Sequence, residues 1–166
     1  MTTYIYFWKP SGNYGFLGNW YFSPFIKNEI RFINNEQYFM WEKQQLFDNT
    51  NVSLEKNILE TTNPALIRNL GRLVKNFNQT VWDTKKYDIM KRGLIEKFSQ
   101  NKELKKALLN TNDAILVEAS PYDNIWGIGM AENHPDILTP DKWLGLNLLG
   151  KAIMKVRYIM KLPDFV

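Results

Sequence analysis

The chain has 166 residues, 45% apolar and 23% charged, and 21 basic against 17 acidic side chains give a net charge of +4. That length suits one domain spanning residues 1–166, with about 70% of the open chain's surface hidden on folding. Six tryptophans, eight tyrosines and ten phenylalanines exclude a disordered chain. With no cysteine there is no thiolate nucleophile, disulfide or cysteine-bound metal, and a lone His134 excludes a multi-histidine zinc site. No metal or cofactor is expected. No apolar run approaches the roughly 20 residues of a spanning helix, and residues 1–10 lack a basic-then-apolar leader. The expectation is a cytoplasmic chain with no membrane partner. Its positive charges are dispersed, which reads as a solvated basic surface rather than a dedicated nucleic-acid groove.

Residues 2–33 are aromatic and punctuated by Gly12, Gly15, Gly18 and Pro24. They read as short strands and tight loops, with residues 4–8 and 30–33 the best strand candidates. From Asn34 the period turns helical: residues 35–48 carry Phe39, Met40, Leu46 and Phe47, and a second short helix covers 52–60. Asn63-Pro64 opens a helix toward Leu73, with asparagine as cap and proline at the first helical position. Asn78 caps a long helix to about Phe98, and Asn101 caps another through Leu109. Residues 114–118 form a short apolar strand, followed by a loop to about Thr139. In the last helix Leu146, Leu149, Ile153, Val156 and Met160 recur at helical spacing. The fold class read from this pattern is mainly α, an α+β chain with a few short strands in a single domain.

In the 35–48 helix, Glu36 and Lys43 are roughly 700° apart, so both point the way the apolar stripe points, about 10 Å apart along the axis. A carboxylate and an ammonium on such a stripe are costly unless paired or used. One reading has Glu36 stabilised by the helix dipole while Lys43 snorkels to solvent. The other is a cleft floor, where burial lowers the lysine pKa and makes its amine a nucleophile while the carboxylate handles protons.

Residues 118–129 run from a strand into a loop that displays Asp123 and Trp126 between Pro121 and the Gly127-Ile128-Gly129 triplet. This is either a ligand-binding junction, with glycines allowing close backbone approach, or a capped turn with a core tryptophan. The triplet lacks the third glycine and the helix of a dinucleotide fingerprint. Trp82-Asp83 offers core packing or a stacking wall for a nucleobase. Gly71-Arg72 offers a helix end satisfied by arginine or a phosphate contact. Trp143, Gly145, Asn147 and Gly150 look like a helix-entry motif.

These pieces follow one another in an order that resembles the NADAR, or YbiA-like, family. The matching blocks are Asn19-Trp20-Tyr21-Phe22-Ser23-Pro24-Phe25, residues 36–43, Leu70-Gly71-Arg72-Leu73-Val74, Val81-Trp82-Asp83, residues 94–100, 116–129 and 143–157. They cover about Phe16 to Arg157, and the 118–129 block is long and specific. Three departures stand out. Gly18 replaces a frequent serine and Gln37 a frequent histidine, both expected to touch the pocket, and Leu146 replaces a frequent lysine.

The resemblance implies a YbiA-like fold and N-glycosidase chemistry on ribosyl compounds. The implied substrates are ribosylamino-pyrimidine phosphates of early riboflavin synthesis, or ADP-ribose attached to guanine, with ADP-ribosylated nucleic acid as a partner in the second case. Carried onto this chain, the catalytic candidates are Glu36, Lys43 and Asp123. The substrate-binding candidates are Asn19, Tyr21, Arg72, Trp82, Trp126 and Gly127. Lys43 would form a Schiff base with the opened ribose while Asp123 or Glu36 protonates the departing base. A carboxylate-only route is the alternative. The competing functions are a non-catalytic module that binds ADP-ribose or NAD and a nucleic-acid-binding interaction protein.

Overall fold

Polar caps and left-handed asparagines divide the computed structural model, which describes residues 2–163, into six helices, four short strands and two single 3₁₀ turns. The contacts fall into two units: the chain up to Tyr21 together with everything from Lys102 onward, and the continuous stretch Phe22–Asn101.

The continuous unit opens with strand β2 (Phe25–Lys27) and strand β3 (Ile30–Phe32), paired antiparallel with Phe25 opposite Phe32 and Lys27 opposite Ile30. Asn28 and Glu29 between them both have positive φ, 51° and 65°, as a primed two-residue hairpin turn requires. Helix α1 (Asn35–Phe47) follows, then α2 (Val52–Glu60), α3 (Pro64–Gly71) and α4 (Gln79–Gln100). Each has an asparagine N-cap: the side chains of Asn34, Asn51, Asn63 and Asn78 accept backbone N–H groups of their own first turns.

Helix α1 is the centre of this unit, packing on α2, α3, α4 and β3. Its first half is buried on all sides, Asn35 to Met40 without a break, so it carries no solvated face there. Phe25, Phe32 and Tyr38 meet edge-on or tilted at 5.3–5.9 Å. Helix α4 comes so close that a Cβ on Gly93 would lie 2.0 Å from Asn35 Oδ1 and 2.4 Å from Tyr38 Cδ1.

The second unit holds strand β1 (Tyr4–Phe7), helix α5 (Lys102–Leu109), strand β4 (Ile115–Glu118) and helix α6 (Leu148–Ile159). Strands β1 and β4 pair in parallel from Tyr4 opposite Ile115 to Phe7 opposite Glu118. Helix α6 lies on β4, where a Cβ on Gly150 would sit 2.1 Å from Leu116 O. Val117, Ala119, Ile128, Met130 and Ile137 form a core cluster, flanked by Tyr4, Tyr6, Ile115 and Trp143.

Two local expectations need correction. Asn101 stands directly before α5 as expected, but its side chain serves the end of α4 instead: Nδ2 donates to Lys97 O at 2.8 Å and Pro24 O at 3.0 Å. Leu146 lies outside the last helix and is 56% exposed. The helix begins after Asn147, which has φ 52° and clamps β4, accepting from Glu118 N and donating to Leu116 O. That clamp bears out the entry motif read around Trp143. No described helix is long and apolar enough to cross a membrane.

Candidate functional site

Lys43 stands two turns after Glu36 on α1, and the structure keeps both side chains off the solvent face. Glu36 is 7% exposed in the first turn, where the positive end of the helix dipole favours a carboxylate. Lys43 is half-buried and does not snorkel outward. Its Nζ donates to Gly71 O at 2.8 Å, filling the carbonyl left open at the C-terminus of α3. Lys43, rather than Arg72, therefore satisfies that helix end. Arg72 is exposed, and among the described residues its guanidinium donates only to Asn69 Oδ1, at 3.3 Å, in its own turn.

Aromatic rings close over the Lys43 amine. Nζ lies 4.5 Å from the Phe77 ring centroid and 5.9 Å from that of Trp82. Trp82 is itself buried and packed on Phe39 at 5.0 Å, Phe47 at 6.3 Å and Phe77 at 6.4 Å. It is thus a core residue, as the packing reading of Trp82-Asp83 has it, with a ring face toward the amine. The Gly71 carbonyl and the ring faces favour the charged amine. Burial opposes them, and with the Arg72 charge nearby the Lys43 ammonium is held below its ordinary pKa.

The other residues expected at the site lie in the second unit. Asp123 Oδ1 accepts the backbone N–H of Ile125 at 2.9 Å and of Trp126 at 2.8 Å, a local turn that fixes the loop carrying Trp126. The space a Gly127 side chain would need is taken by neighbours: a Cβ there would lie 2.9 Å from both Asp123 O and Glu118 O. The glycine is thus required by loop packing. Asn19 and Tyr21 are half-buried just beyond the single turn Gly15–Leu17.

Gln37 departs from expectation. Instead of touching a pocket it is fully buried as an internal connector. Its Nε2 is shared by Ile58 O, Leu59 O and Thr61 O at 3.0–3.1 Å, and its Oε1 accepts from Ile33 N at 2.9 Å. It ties the end of α2 to the start of α1.

Sequence reasoning missed Phe77 and the Gly71 carbonyl. Phe77 directly precedes the Asn78 cap, a position that looks like an ordinary loop aromatic. It also missed Lys97, whose side chain on α4 is fully buried and whose ammonium is pushed down to about 7 by that burial. The one available signal was its place beside Leu94 and Phe98, on the buried stripe of α4.

Comparison with known proteins adds four findings. The NADAR domain model matches residues 6–161. An N-glycosidase of Acanthamoeba polyphaga mimivirus is 43% identical over 82% of this chain and 80% of its own length. A riboflavin biosynthesis protein of Vibrio vulnificus is 31% identical over 92% of this chain, but only 37% of that larger protein is matched. The NMR structure of the Escherichia coli protein YbiA superposes with a TM-score of 0.77 at 27% identity, covering 96% of this chain and 86% of that one. The mainly helical fold with few short strands is therefore shared with a solved relative.

Proposed function

Because the chain belongs to the NADAR domain family, we propose that it is an N-glycosidase that hydrolyses the C1′–N bond of a ribosyl compound, with Lys43 as nucleophile. The observation that carries this reading is the Lys43 amine, half-desolvated between Phe77, Trp82 and Gly71 O and held below its ordinary pKa. Only an uncharged amine attacks carbon, so a lysine kept partly dry is suited to this work and a surface lysine is not. The substrate class is a ribosylamino-pyrimidine phosphate, supported by the riboflavin biosynthesis relative. ADP-ribose on guanine is a second substrate to be tested beside it.

The neutral Lys43 Nζ attacks C1′, and the C1′–N bond to the base breaks. Glu36 takes the proton the amine sheds and passes it to the departing nitrogen. The glycosyl-lysine then opens to a protonated imine as O4′ takes a proton from water. The hydroxide left behind adds to C1′, and collapse releases the free sugar and the neutral amine. Glu36 stands roughly 10 Å of rise before Lys43 on the same helix, a span that water or the substrate bridges in this proton transfer. Arg72, exposed beside Gly71, meets the phosphate, and the Trp82 ring offers flat apolar contact to the sugar or base. In the other unit Asp123 orders the loop of Trp126 and Gly127, whose binding role, with that of Asn19 and Tyr21, we retain as part of the proposal.

The test is release of ribose 5-phosphate from the ribosylamino-pyrimidine phosphate and, separately, of ADP-ribose from ADP-ribosylated DNA. Lys43→Met and Glu36→Gln should each lower the rate at least a hundredfold, on the order of what an activated nucleophile or general acid–base supplies. Tight binding of ADP-ribose with neither sugar released would replace the enzyme with a binding module.

A further inference from the structure

Asp48 is a residue that nothing in the reaction above uses, in a place where a carboxylate is disfavoured twice. It ends α1, where the helix dipole repels negative charge, and it is 7% exposed. No lysine or arginine side chain pairs with it among the described residues. What it accepts instead are two N–H groups: Asn51 Nδ2 at 2.9 Å and the backbone N–H of Lys75 at 3.3 Å, both on Oδ2.

Lys75 lies in the middle of the segment joining α3 to α4, residues 72–78. This segment carries Arg72 near one end and Phe77 near the other. Val74 is its one buried side chain. A second tether comes from the same end of α1: Asn76 Nδ2 reaches Phe47 O at 3.5 Å, with Asn76 in the left-handed region at φ 55°. Phe77 then rests on Phe47 at 5.2 Å with its ring over Lys43 Nζ. Phe77 and Arg72 thus ride on one segment, held by the last turn of the helix that bears Lys43, directly after the Gly71 carbonyl at the end of α3.

We infer that Asp48 is a positioning residue for the Lys43 site: by holding the Lys75 N–H it keeps residues 72–78 where Phe77 covers, and Arg72 flanks, the amine. This rests on the N-glycosidase reading for its consequence in catalysis, but not for its geometry. A carboxylate oxygen suits the task because Oδ2 accepts from two N–H groups at once, Asn51 Nδ2 and the Lys75 backbone.

The experiment reads the amine directly. Chains with 13Cε-labelled lysine are compared by NMR as wild type, Phe77→Ala, Asp48→Ala and Asp48→Asn, with Lys43→Met identifying the Lys43 signal. The rings of Phe77 and Trp82 displace the Lys43 Hε signal upfield in the wild type. Phe77→Ala moves it back, and Asp48→Ala moves it in the same direction. Asp48→Asn moves it less, because the carboxamide oxygen still accepts from Lys75; this variant also carries the comparison should Asp48→Ala not fold. With the ribosylamino-pyrimidine phosphate, kcat of Asp48→Ala falls about tenfold to a hundredfold, as expected for a displaced reacting group, and Asp48→Asn recovers part of it. A Lys43 signal that moves in Phe77→Ala but stays at its wild-type position in both Asp48 variants overturns the inference. A Lys43 signal that moves in the Asp48 variants while the wild type shows no glycosidase turnover supports the tether and counts against the functional reading alone.

Discussion

Replacing Trp82 with alanine tests whether the cover over Lys43 is a packed part of the core. Trp82 is 8% exposed and meets three phenylalanine rings at 5.0–6.4 Å. A tryptophan buries roughly 150–250 Å², which at about 25 cal/mol per Å² is worth roughly 4–6 kcal/mol. Truncations of buried aromatics cost about 3–5 kcal/mol, since neighbours close only part of the cavity. We expect a loss of about 4 kcal/mol, a large share of the ~5–15 kcal/mol that holds a domain together. Urea unfolding followed by circular dichroism would show it as a lower midpoint with little change in slope. Trp82→Phe, which keeps a ring against Phe39 and Phe47, should lose less than half as much. A loss below ~1 kcal/mol in Trp82→Ala would refute the packing argument and, with it, the idea that this ring helps keep the amine dry.

Two further predictions concern charge. Removing the guanidinium in Arg72→Ala takes away a like charge, so the Lys43 pKa rises back toward its ordinary value. The acid limb of the pH–rate profile, set by loss of the Lys43 proton, should then move to higher pH; a limb that stays or moves lower at low salt contradicts this. Lys97 governs stability rather than rate. Its folded pKa of about 7 lies below the unfolded 10.5, so between these values the unfolded chain holds more protons and stability rises with pH. The rise should reach a few kcal/mol by about pH 10. Above that the unfolded tyrosines ionise while buried Tyr38 resists, and the gain reverses. Lys97→Met should flatten the rise in denaturant titrations, and an equally steep rise in that variant would contradict the assignment.

Much of the helical part of the fold was legible because caps and spacing are local. Helix α2 falls on residues 52–60 as read, and Asn63 and Asn78 cap α3 and α4 through the hydrogen bonds expected of them. What the sequence hid was long-range. Parallel pairing of β1 with β4 joins segments over a hundred residues apart, and no local pattern encodes it. Leu146 fits a helical period yet lies outside α6, because Asn147 is spent on clamping β4. At the site, Glu36 and Lys43 were legible as charges on a stripe. Phe77 and Asp48 were not, because their roles depend on how the 72–78 segment folds back along α1. Gln37 was misplaced at the pocket for a related reason: its carbonyl partners belong to the far end of α2.

The central claim is that one amine bonds to one sugar carbon. Borohydride added during turnover of the ribosylamino-pyrimidine phosphate reduces an imine to a permanent secondary amine, and mass spectrometry of the digested chain locates it. The account predicts a ribose-phosphate adduct on the peptide containing Lys43, absent without substrate and absent in Lys43→Arg. An active chain that yields no adduct there, with Lys43→Arg still turning over substrate, would contradict it and leave a route run by carboxylates alone.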